Sequence, residues 1–327
     1  MNARSTVTDS LLSDLQKIEH LELVVDQSLA AISRWRIGGK ADLIVRPTSI
    51  ESLVKVRKYF YRQSIPHFVF GQSSNLLFAD DGLRVPCIQI GNRIGNVKVD
   101  KTAHSLTAQA GAWVPIVARL AMQAGMSGIE HICGIPGTFG GLICMNGGSK
   151  RQSVGDSAIQ IISVALNGEL LLREKSECFF SYRHSIFQEN EEVVISATLK
   201  LKPGEPKEIR AEMLSILSER RKKFPSKVPN CGSVFKSNPE MYKNFGTPGA
   251  IIEGCGFKGM QIGDAIVSPL HANFILNLGK ASAQDVLTLI ENIYQAVKST
   301  IGYEMQSEVC FVDSLGKAIP ATDLWHS

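Results

Sequence analysis

The chain has 327 residues, with 35 basic and 31 acidic side chains and a formal net charge of +4. Its apolar fraction of 44% is ordinary for a soluble globular protein, which excludes a disordered or fibrous chain and allows two domains. The one dense basic run, residues 219–224, lies in a helical pattern and is interpreted as a solvated face, so nucleic acid is not an expected partner. A mildly basic site would suit an anionic small molecule.

The cysteine content and the N-terminal sequence indicate the compartment. Seven cysteines occur without a CxxC pair, and their odd number predicts neither a zinc knuckle nor a complete disulfide framework. The N-terminal region lacks the continuous apolar core of a signal peptide, and no apolar run approaches membrane-spanning length. We therefore expect a cytoplasmic protein with no bound metal and no membrane partner.

The first half of the chain alternates helical and strand patterns. Apolar residues recur at helical spacing from Leu11 to Ile18, so residues 1–30 are interpreted as a short helix or a loosely attached arm. The β-like runs DLIVRP, HFVFG and CIQI follow, and helical patterns cover residues 50–63 and 113–124. This mixture predicts an α+β or α/β fold.

The second half begins with a strand-rich region. An Asn-Gly pair at 167–168 predicts a hairpin turn, and residues 191–204 predict a further strand. One helix is predicted over 207–223, and a last helix over 282–302 opens with the capping-box-like sequence SAQD. The charge-rich stretch PGEPKE at 203–208 is the best candidate for a boundary between two domains.

Two glycine-rich segments are candidates for ligand binding. In FGQSSNLLF, residues 70–78, small residues allow backbone N–H groups to converge on phosphate oxygens, although most such turns are only turns. Residues 128–149 contain seven glycines, a density that indicates close approach of backbone to a flat ligand or a tightly packed loop. Neither segment satisfies GxGxxG opening a helix after a strand, and GKST is absent, so a Rossmann site and a P-loop are not predicted.

Six motifs occur in one order along the chain. They are WRIGGKADLIVRP at 35–47, FGQSSNLLF at 70–78, GIPGTFGGLICMNGG at 134–148, SYRHSIF at 181–187, NCGSVFK at 230–236 and SPLHANFILN at 268–277. This order resembles the UDP-N-acetylenolpyruvoylglucosamine reductases of peptidoglycan synthesis, and the resemblance extends from about Trp35 to Val312. Without an evident additional tyrosine-bearing loop, the chain looks like the family's second, loop-lacking type.

The resemblance implies an α+β fold, with a two-subdomain FAD-binding module of the vanillyl-alcohol oxidase type joined to a C-terminal α+β substrate domain. The expected division is an N-terminal arm at 1–30, the FAD-binding module at 31–205 and the substrate-binding domain at 206–327. The implied activity is the NADPH-dependent, FAD-mediated reduction of UDP-N-acetylglucosamine enolpyruvate to UDP-N-acetylmuramate. Another FAD-dependent oxidase or dehydrogenase, and a catalytically silent nucleotide-sugar-binding relative, are the alternatives.

The same resemblance implies roles for individual residues. Arg183 would clamp the substrate carboxylate, Ser233 would donate a proton to carbon, and Glu308, protonated by burial, would donate a hydrogen bond to the growing charge. Residues expected to bind FAD are Gly71, Gln72, Ser73, Ser74, Asn75, Leu76, Gly134, Ile135, Pro136, Gly137, Gly140, Gly141 and Asn146. Residues expected to bind substrate or NADPH are Lys236, His271 and Asn273. Cys231 is expected to be a small buried residue.

The chain departs from the family's pattern at several positions. Gln72 and Ser73 stand in a turn that usually has more glycine. The sequence KSNP places Asn238 one position later than a KNP version would, so no substrate role is assigned to it. Gln261 stands where arginine is common, and Asp264 stands where glycine is common. These changes bear on substrate binding more than on hydride transfer.

Overall fold

The computed structural model describes residues 5–237 and 239–325, without the side chains of Pro239 and Glu240. Asn238 lies outside the described residues. The helices are α1 Asp9–Gln16, α2 Leu29–Ile32, α3 Ile50–Arg62, α4 Val114–Gln123, α5 Phe139–Cys144, α6 Val154–Ser157, α7 Pro206–Lys223, α8 Pro239–Asn244, α9 Pro248–Gly254 and α10 Ala283–Ile301. Short 3₁₀ helices are Asn92–Ile94, Glu130–Ile132, Lys175–Cys178, Ile186–Gln188 and Ala321–Trp325.

The strands build several small sheets. They are β1 Leu21–Ser28, β2 Lys40–Pro47, β3 Phe68–Phe70, β4 Leu76–Phe78, β5 Cys87–Gln89, β6 Val97–Asp100, β7 Ser105–Gln109, β8 Met126–Ser127, β9 Ala158–Val164, β10 Leu170–Glu174, β11 Val193–Lys200, β12 Lys202–Pro203, β13 Gln261–Ile262, β14 Ala265–Val267, β15 Ile275–Asn277, β16 Cys310–Val312 and β17 Ala318–Pro320. The helices predicted at 50–63, 113–124, 207–223 and 282–302 and the strand at 191–204 are confirmed within a few residues.

The first subdomain is built on a sheet with strand order β1-β2-β5-β3. β1 pairs antiparallel with β2 from Leu21 opposite Pro47 to Ser28 opposite Lys40, while β5 pairs parallel with β2 and β3. Helix α1 is anchored because Leu11 and Leu15 are buried in the core of this subdomain. The short helix expected in residues 1–30 is present as α1, whereas α1 and β1 pack into the subdomain and do not form a loosely attached arm.

The second subdomain is an antiparallel sheet with strand order β10-β9-β11-β7-β6. The predicted hairpin turn joins β9 to β10, and Gly168 there has a φ of +85°, which glycine adopts without strain. Helix α7 buries Ile209, Met213 and Ile216 in the core of this subdomain. The expected boundary at 205/206 would separate α7 from its packing partners, so we propose a boundary near Phe224 instead.

In the third unit, α10 packs against the sheet β13-β14-β15 and against α9. Ser282 caps α10 in a capping box with Asp285, and Gly302 ends the helix with a φ of +68°. The buried face of α10 includes Val286 and Ile290. Because caps and an apolar stripe at helical spacing are both local signals, this helix was predictable from the sequence.

The C-terminal segment returns to the first part of the chain. β16 pairs parallel with β4, with Cys310 opposite Leu76, and antiparallel with β17. A chain segment that follows the third unit therefore ends beside the turn that precedes β4. This return places Glu308 near the 71–75 turn.

Buried polar contacts join the first motif to the third unit. The indole nitrogen of Trp35 donates to the Ile275 carbonyl at 3.0 Å, and the Asn277 amide donates to the Trp35 carbonyl at 3.0 Å. The Asn277 side-chain oxygen accepts from the backbone N–H groups of Gly279 and Ala281. One buried amide thus satisfies backbone groups on both sides of the interface. Along the described chain, no helix has the length and apolar character needed to cross a lipid bilayer.

Substituting Asn277→Ala is expected to lower the free energy of unfolding by about 2–4 kcal/mol, because buried backbone donors and acceptors lose their partner. Urea unfolding followed by tryptophan fluorescence measures the change. The control is Asn244→Ala, at an exposed position that ends α8, where a change within about 0.5 kcal/mol is expected. Equal stability of the two variants would contradict the interface role of Asn277.

Candidate active site

A cavity of about 650 Å³ lies where the three units meet. Its wall includes the 134–141 segment, the basic end of α7, Arg183, Glu308 and part of the 230–236 motif. This volume falls within the range of small-molecule sites, about 300–1,000 Å³. Motifs far apart in sequence therefore share one concave surface.

The two glycine-rich segments contact each other at this cavity. A Cβ added to Gly71 would lie 2.2 Å from the Thr138 hydroxyl oxygen, and one added to Gly137 would lie 3.0 Å from the Ser74 hydroxyl oxygen. Gly137 also has a φ of +146°, in a region that disfavours other residues. Glycine is needed at position 71 for close packing of two loops, and at 137 for backbone conformation as well.

The residues expected to bind a cofactor divide into two groups. Those that line the cavity are Ser74, Asn75, Gly134, Ile135, Pro136, Gly137 and Gly141. Those outside the lining are Gly71, Gln72, Ser73, Leu76, Gly140 and Asn146.

The second group supports the cavity from behind. Ser73 is buried, and its hydroxyl accepts from the backbone N–H of Arg34 at 3.1 Å. Asn146 is also buried and donates to the Ser181 carbonyl at 2.6 Å, next to the Tyr182–Arg183 pair. A Cβ on Gly140 would lie 2.7 Å from that of Ala110. These residues shape the loops that face the cavity.

The 230–236 motif is held against residues 306–308 by backbone hydrogen bonds. The Glu308 N–H donates to the Val234 carbonyl at 2.7 Å, and the Lys236 N–H donates to the Gln306 carbonyl at 2.8 Å. The Asn75 side chain donates to the Glu308 carbonyl at 2.7 Å. Ser233, which precedes Val234 and lines the cavity, is thereby placed on the same wall as Glu308.

Arg183 reaches this position from the second subdomain. Its backbone has a φ of +55°, a left-handed conformation that is uncommon outside glycine. Its Nε lies 2.8 Å from Oε1 of Glu308, as an ion pair in which the N–H is not aligned for a hydrogen bond. The guanidinium also lies over the ring of Tyr182 and has one long contact, 3.4 Å, to the Gly148 carbonyl.

Burial raises the pKa of Glu308, and the nearby charges of Arg183 and Lys236 oppose that rise. Burial is the larger effect because it removes the carboxylate from water, which disfavours the charged form. Glu308 therefore keeps its proton to a higher pH than an exposed glutamate does. This direction agrees with the expectation of a carboxyl group that donates a hydrogen bond.

The two neighbouring candidate nucleophiles have different environments. Cys231 is buried, its thiol contacts the carbonyl oxygens of Ser73 and Leu76 at 3.4 and 3.5 Å, and burial raises its pKa to about 12. The Ser233 hydroxyl has no hydrogen-bond partner among residues 5–237 and 239–325, and the residue lines the cavity. The thiol is unreactive at neutral pH, whereas the hydroxyl is available to a ligand.

The residues expected to bind substrate do not line the cavity. The side chain of Asn273 exchanges two hydrogen bonds with the backbone of Phe235, at 2.9 and 3.0 Å, so it fixes the motif that carries Ser233. His271 packs behind Phe274, with ring centroids 5.1 Å apart, and burial lowers its pKa. Lys236 influences the pKa of Glu308 from outside the lining.

Sequence reasoning missed most of the cationic lining. Basic side chains at the cavity besides Arg183 are Arg34, Lys150, Arg220 and Arg221. The last two come from the 219–224 run, whose interpretation as a solvated face is wrong for the half-buried Arg220 and correct for Arg221, which is exposed at the rim of the lining. The position of the run in the sequence could have indicated this, because the run ends a helix just before the 230–236 motif.

The departures at the third unit lie away from the cavity lining. The Gln261 side chain donates to the Gly263 carbonyl at 2.7 Å, and the Asp264 carboxylate accepts from the Lys280 N–H at 2.8 Å. Both side chains fix loops around the small β13-β14-β15 sheet. Within the described chain, no group of three or more His, Cys, Asp or Glu side chains is arranged to hold a metal ion.

Known proteins with similar sequences and a similar fold identify the family. Residues 224–312 match the model of the UDP-N-acetylenolpyruvoylglucosamine reductase C-terminal domain, and residues 41–171 match an FAD binding domain. UDP-N-acetylenolpyruvoylglucosamine reductase 1 of Corynebacterium glutamicum is 38% identical over 324 residues, which cover 99% of this chain and 96% of the relative. The reductase of Synechococcus sp. is 38% identical, covering 91% and 98% of the two chains. The crystal structure of the Thermus caldophilus reductase has a TM-score of 0.74 at 28% identity, covering 89% of this chain and 98% of that chain.

These matches, which cover an FAD-binding domain and a reductase C-terminal domain, define an FAD-containing oxidoreductase. The chain belongs to the family of UDP-N-acetylenolpyruvoylglucosamine reductases. The matches confirm three predictions made from the motifs. These are the resemblance to this reductase family, the α+β fold with its FAD module, and the use of FAD with NADPH.

The cavity wall fits the cofactor of this class. The groups that would hold FAD are the backbone of Gly134–Gly137 and Gly141 and the side chains of Ser74 and Asn75. At Gly141 an added Cβ would meet only the Thr138 hydroxyl oxygen, at 3.4 Å, so the backbone there is uncovered. Bare backbone next to small polar side chains suits both a flat ring system and phosphate oxygens.

Substituting Gly71→Ala is expected to weaken FAD retention at least about tenfold, because the new methyl group would push the two glycine segments apart. The ratio of flavin to protein absorbance after gel filtration measures retention. Gly91→Ala is the matched control, since nothing lies within 4 Å of its added Cβ. The double variant Gly71→Ala with Thr138→Ala removes the clashing hydroxyl and should recover FAD; failure of that recovery would contradict the packing argument.

Glu308→Gln is expected to remove a pH dependence of stability. The folded state binds more protons than the unfolded chain between the ordinary pKa of 4.5 and the raised value. The free energy of unfolding of the wild type should therefore fall, relative to the variant, as pH rises through this window, by about 1.4 kcal/mol per unit of pKa difference.

Urea unfolding of both proteins between pH 4 and 8 measures this difference. Glu212→Gln, at an exposed position on α7, is the control and should follow the wild type across the range. A wild-type stability that rises relative to Glu308→Gln over the same pH range would show that the pKa is lowered.

Proposed function

We propose that this cavity reduces the enolpyruvyl ether of UDP-N-acetylglucosamine to the lactyl ether of UDP-N-acetylmuramate, in the cytosol, as a step of peptidoglycan synthesis. The observation that carries the proposal is the 2.8 Å contact of Arg183 with Glu308 in a cavity that Ser233 also lines. Its partners are small molecules, the nucleotide-sugar substrate and NADPH. FAD, when bound, supplies the hydride that NADPH has given to it.

Hydride addition to the terminal methylene of the enolpyruvyl group builds negative charge on the adjacent carbon and its carboxylate. Arg183 would bind this carboxylate, because a guanidinium donates two parallel hydrogen bonds to it. The contact to Glu308 uses Nε, and Nη1 has no partner within the described chain. Donors aimed at the developing charge in a water-poor site lower the barrier more than donors in water.

Ser233 would donate the proton that completes the reaction. Its O–H group forms no covalent bond to substrate; it transfers a proton to the carbon next to the carboxylate and later regains one from solvent. The absence of a neighbouring base suits this role, because a serine nucleophile needs one and a proton donor to a strongly basic carbon does not. The unpartnered hydroxyl at the cavity wall supports this assignment.

Glu308 would act as a hydrogen-bond donor beside Arg183. The raised pKa favours a neutral carboxyl group, which avoids repulsion with the substrate carboxylate. Arg183 could then turn its charge from Glu308 toward the ligand without leaving a buried anion unpaired. Together the two residues would stabilise the substrate's charge as it grows.

Anaerobic stopped-flow absorbance tests the proposed reaction. Mixing with NADPH should bleach the flavin, and a second mix with UDP-N-acetylglucosamine enolpyruvate should restore its absorbance. UDP-N-acetylglucosamine without the enolpyruvyl group is the control and should leave the flavin reduced. Flavin that stays reduced after the enolpyruvyl substrate would overturn the proposal.

Ser233→Ala is expected to bleach with NADPH at the wild-type rate and to recover about 10²–10⁴-fold more slowly with substrate, as loss of a general acid requires. Ser226→Ala, an exposed serine at the same cavity, is the matched control and should recover normally. A Ser233→Ala variant that recovers as fast as the control would assign the proton to another donor.

A further inference from the structure

Arg220 occupies a confined position in the cavity wall. It lies in the last turn of α7, and its guanidinium carbon is 5.0 Å from the centre of the Phe224 ring. A Cβ added to Gly134 would lie 2.6 Å from its Cδ and 2.7 Å from its Nε. The side chain therefore lies between the Phe224 ring and the backbone of Gly134. The space it occupies exists because Gly134 has no Cβ.

No carboxylate in the described part of the chain pairs with this charge. Within the described residues Arg220 has neither a carboxylate nor a hydrogen-bond partner, in contrast to Arg173, which forms a partly buried pair with Glu192. Burial lowers the pKa of the Arg220 guanidinium, and the like charge of Arg183 lowers it further against the opposing effect of Cys133. A half-buried cation beside another cation is unfavourable until an anion binds.

The surrounding lining is cationic as well. Among the described residues, the cavity wall has five basic side chains against one carboxyl group, Glu308, which already contacts Arg183. Lys150 is partly neutralised by Glu219 at 3.4 Å. Arg34 and Arg221 remain with Arg220 as uncompensated charges. This excess fits a ligand group with more than one negative charge.

The position of Arg220 differs from that of its basic neighbours. Lys222 and Lys223 are exposed and lie outside the cavity lining, as expected for cations that favour the negative end of a helix. Arg220 is half-buried and directed into the cavity instead. The negative end of the helix therefore explains why basic residues cluster at residues 220–223, but it does not explain why the Arg220 side chain enters the cavity.

We propose that Arg220 binds the diphosphate of a nucleotide held in this cavity. A planar guanidinium can donate hydrogen bonds to two phosphate oxygens, and the Phe224 ring lies against this guanidinium. The inference rests on the proposed function, in which FAD, NADPH and the UDP-sugar all contain a diphosphate. The substrate carboxylate is assigned to Arg183, so Arg220 serves a separate anionic group.

Binding measurements on the FAD-loaded enzyme test this role and identify the nucleotide. One arm dilutes the holoenzyme and follows released FAD by fluorescence; two further arms titrate UDP and NADP⁺ and follow the flavin absorbance change. The variants are Arg220→Gln, which removes the charge, and Arg220→Lys, which keeps it. Arg210→Gln, exposed on the same helix and outside the cavity, is the matched control.

In one arm, Arg220→Gln should raise the dissociation constant about tenfold, Arg220→Lys less, and Arg210→Gln less than twofold. The arm in which the dissociation constant rises identifies the nucleotide whose diphosphate Arg220 binds. A change below about threefold in every arm, or an equal change in Arg210→Gln, overturns the proposal. Because these arms measure binding alone, they remain decisive even if the enolpyruvyl substrate fails to reoxidise the flavin.

Discussion

The antiparallel pairing of residues 234–236 with residues 306–308 is the constraint on which the site depends. Two backbone hydrogen bonds, at 2.7 and 2.8 Å, join these segments. The Asn273 side chain accepts from the backbone N–H of Phe235 and donates to the Phe235 carbonyl. Asn75 then ties the carbonyl of Glu308 to the first subdomain. Ser233 and Glu308 are therefore placed by rigid backbone rather than by mobile side chains, which favours catalysis because little reorganisation is needed.

The site concentrates charge where burial makes it costly. Glu308 and Arg183 contact each other inside the cavity, and removing either partner would leave the other desolvated and unpaired. Arg220 adds a cation that has no carboxylate partner among residues 5–237 and 239–325. An anionic ligand would compensate the charge of Arg220, so binding would offset the cost of burying this cation. Ligands that neutralise these charges should consequently stabilise the whole fold, since binding to the native state alone shifts the unfolding equilibrium.

Local patterns predicted much of the fold, and tertiary packing decided the rest. Helix α10 was predictable because Ser282 and Gly302 mark its ends and its apolar face has helical spacing. Strand β1 was missed because neither its sequence nor its exposure alternates strictly, so the sequence lacked a period-two signal. Helix α7 is predictable from its apolar face, but that face does not specify which core it enters; it packs in the core of the second subdomain.

The candidate site shows the same limit at the level of side chains. The motifs located Arg183, Ser233 and Glu308, and all three line one cavity. The motifs did not reveal that the Asn273 side chain binds the Phe235 backbone, or that Arg220 lines the cavity. Sequence order indicates which segments meet, whereas the direction of each side chain follows from three-dimensional packing.

The central claim is that Arg183, Ser233 and Glu308 converge on one substrate position, and a crystal structure tests it most directly. The sample is the Ser233→Ala variant with FAD and UDP-N-acetylglucosamine enolpyruvate. The account predicts the substrate carboxylate within hydrogen-bonding distance of the Arg183 guanidinium and the Glu308 carboxyl group, with the enolpyruvyl carbon facing position 233. A carboxylate bound elsewhere, with Arg183 still paired to Glu308 and no ligand at position 233, would contradict it.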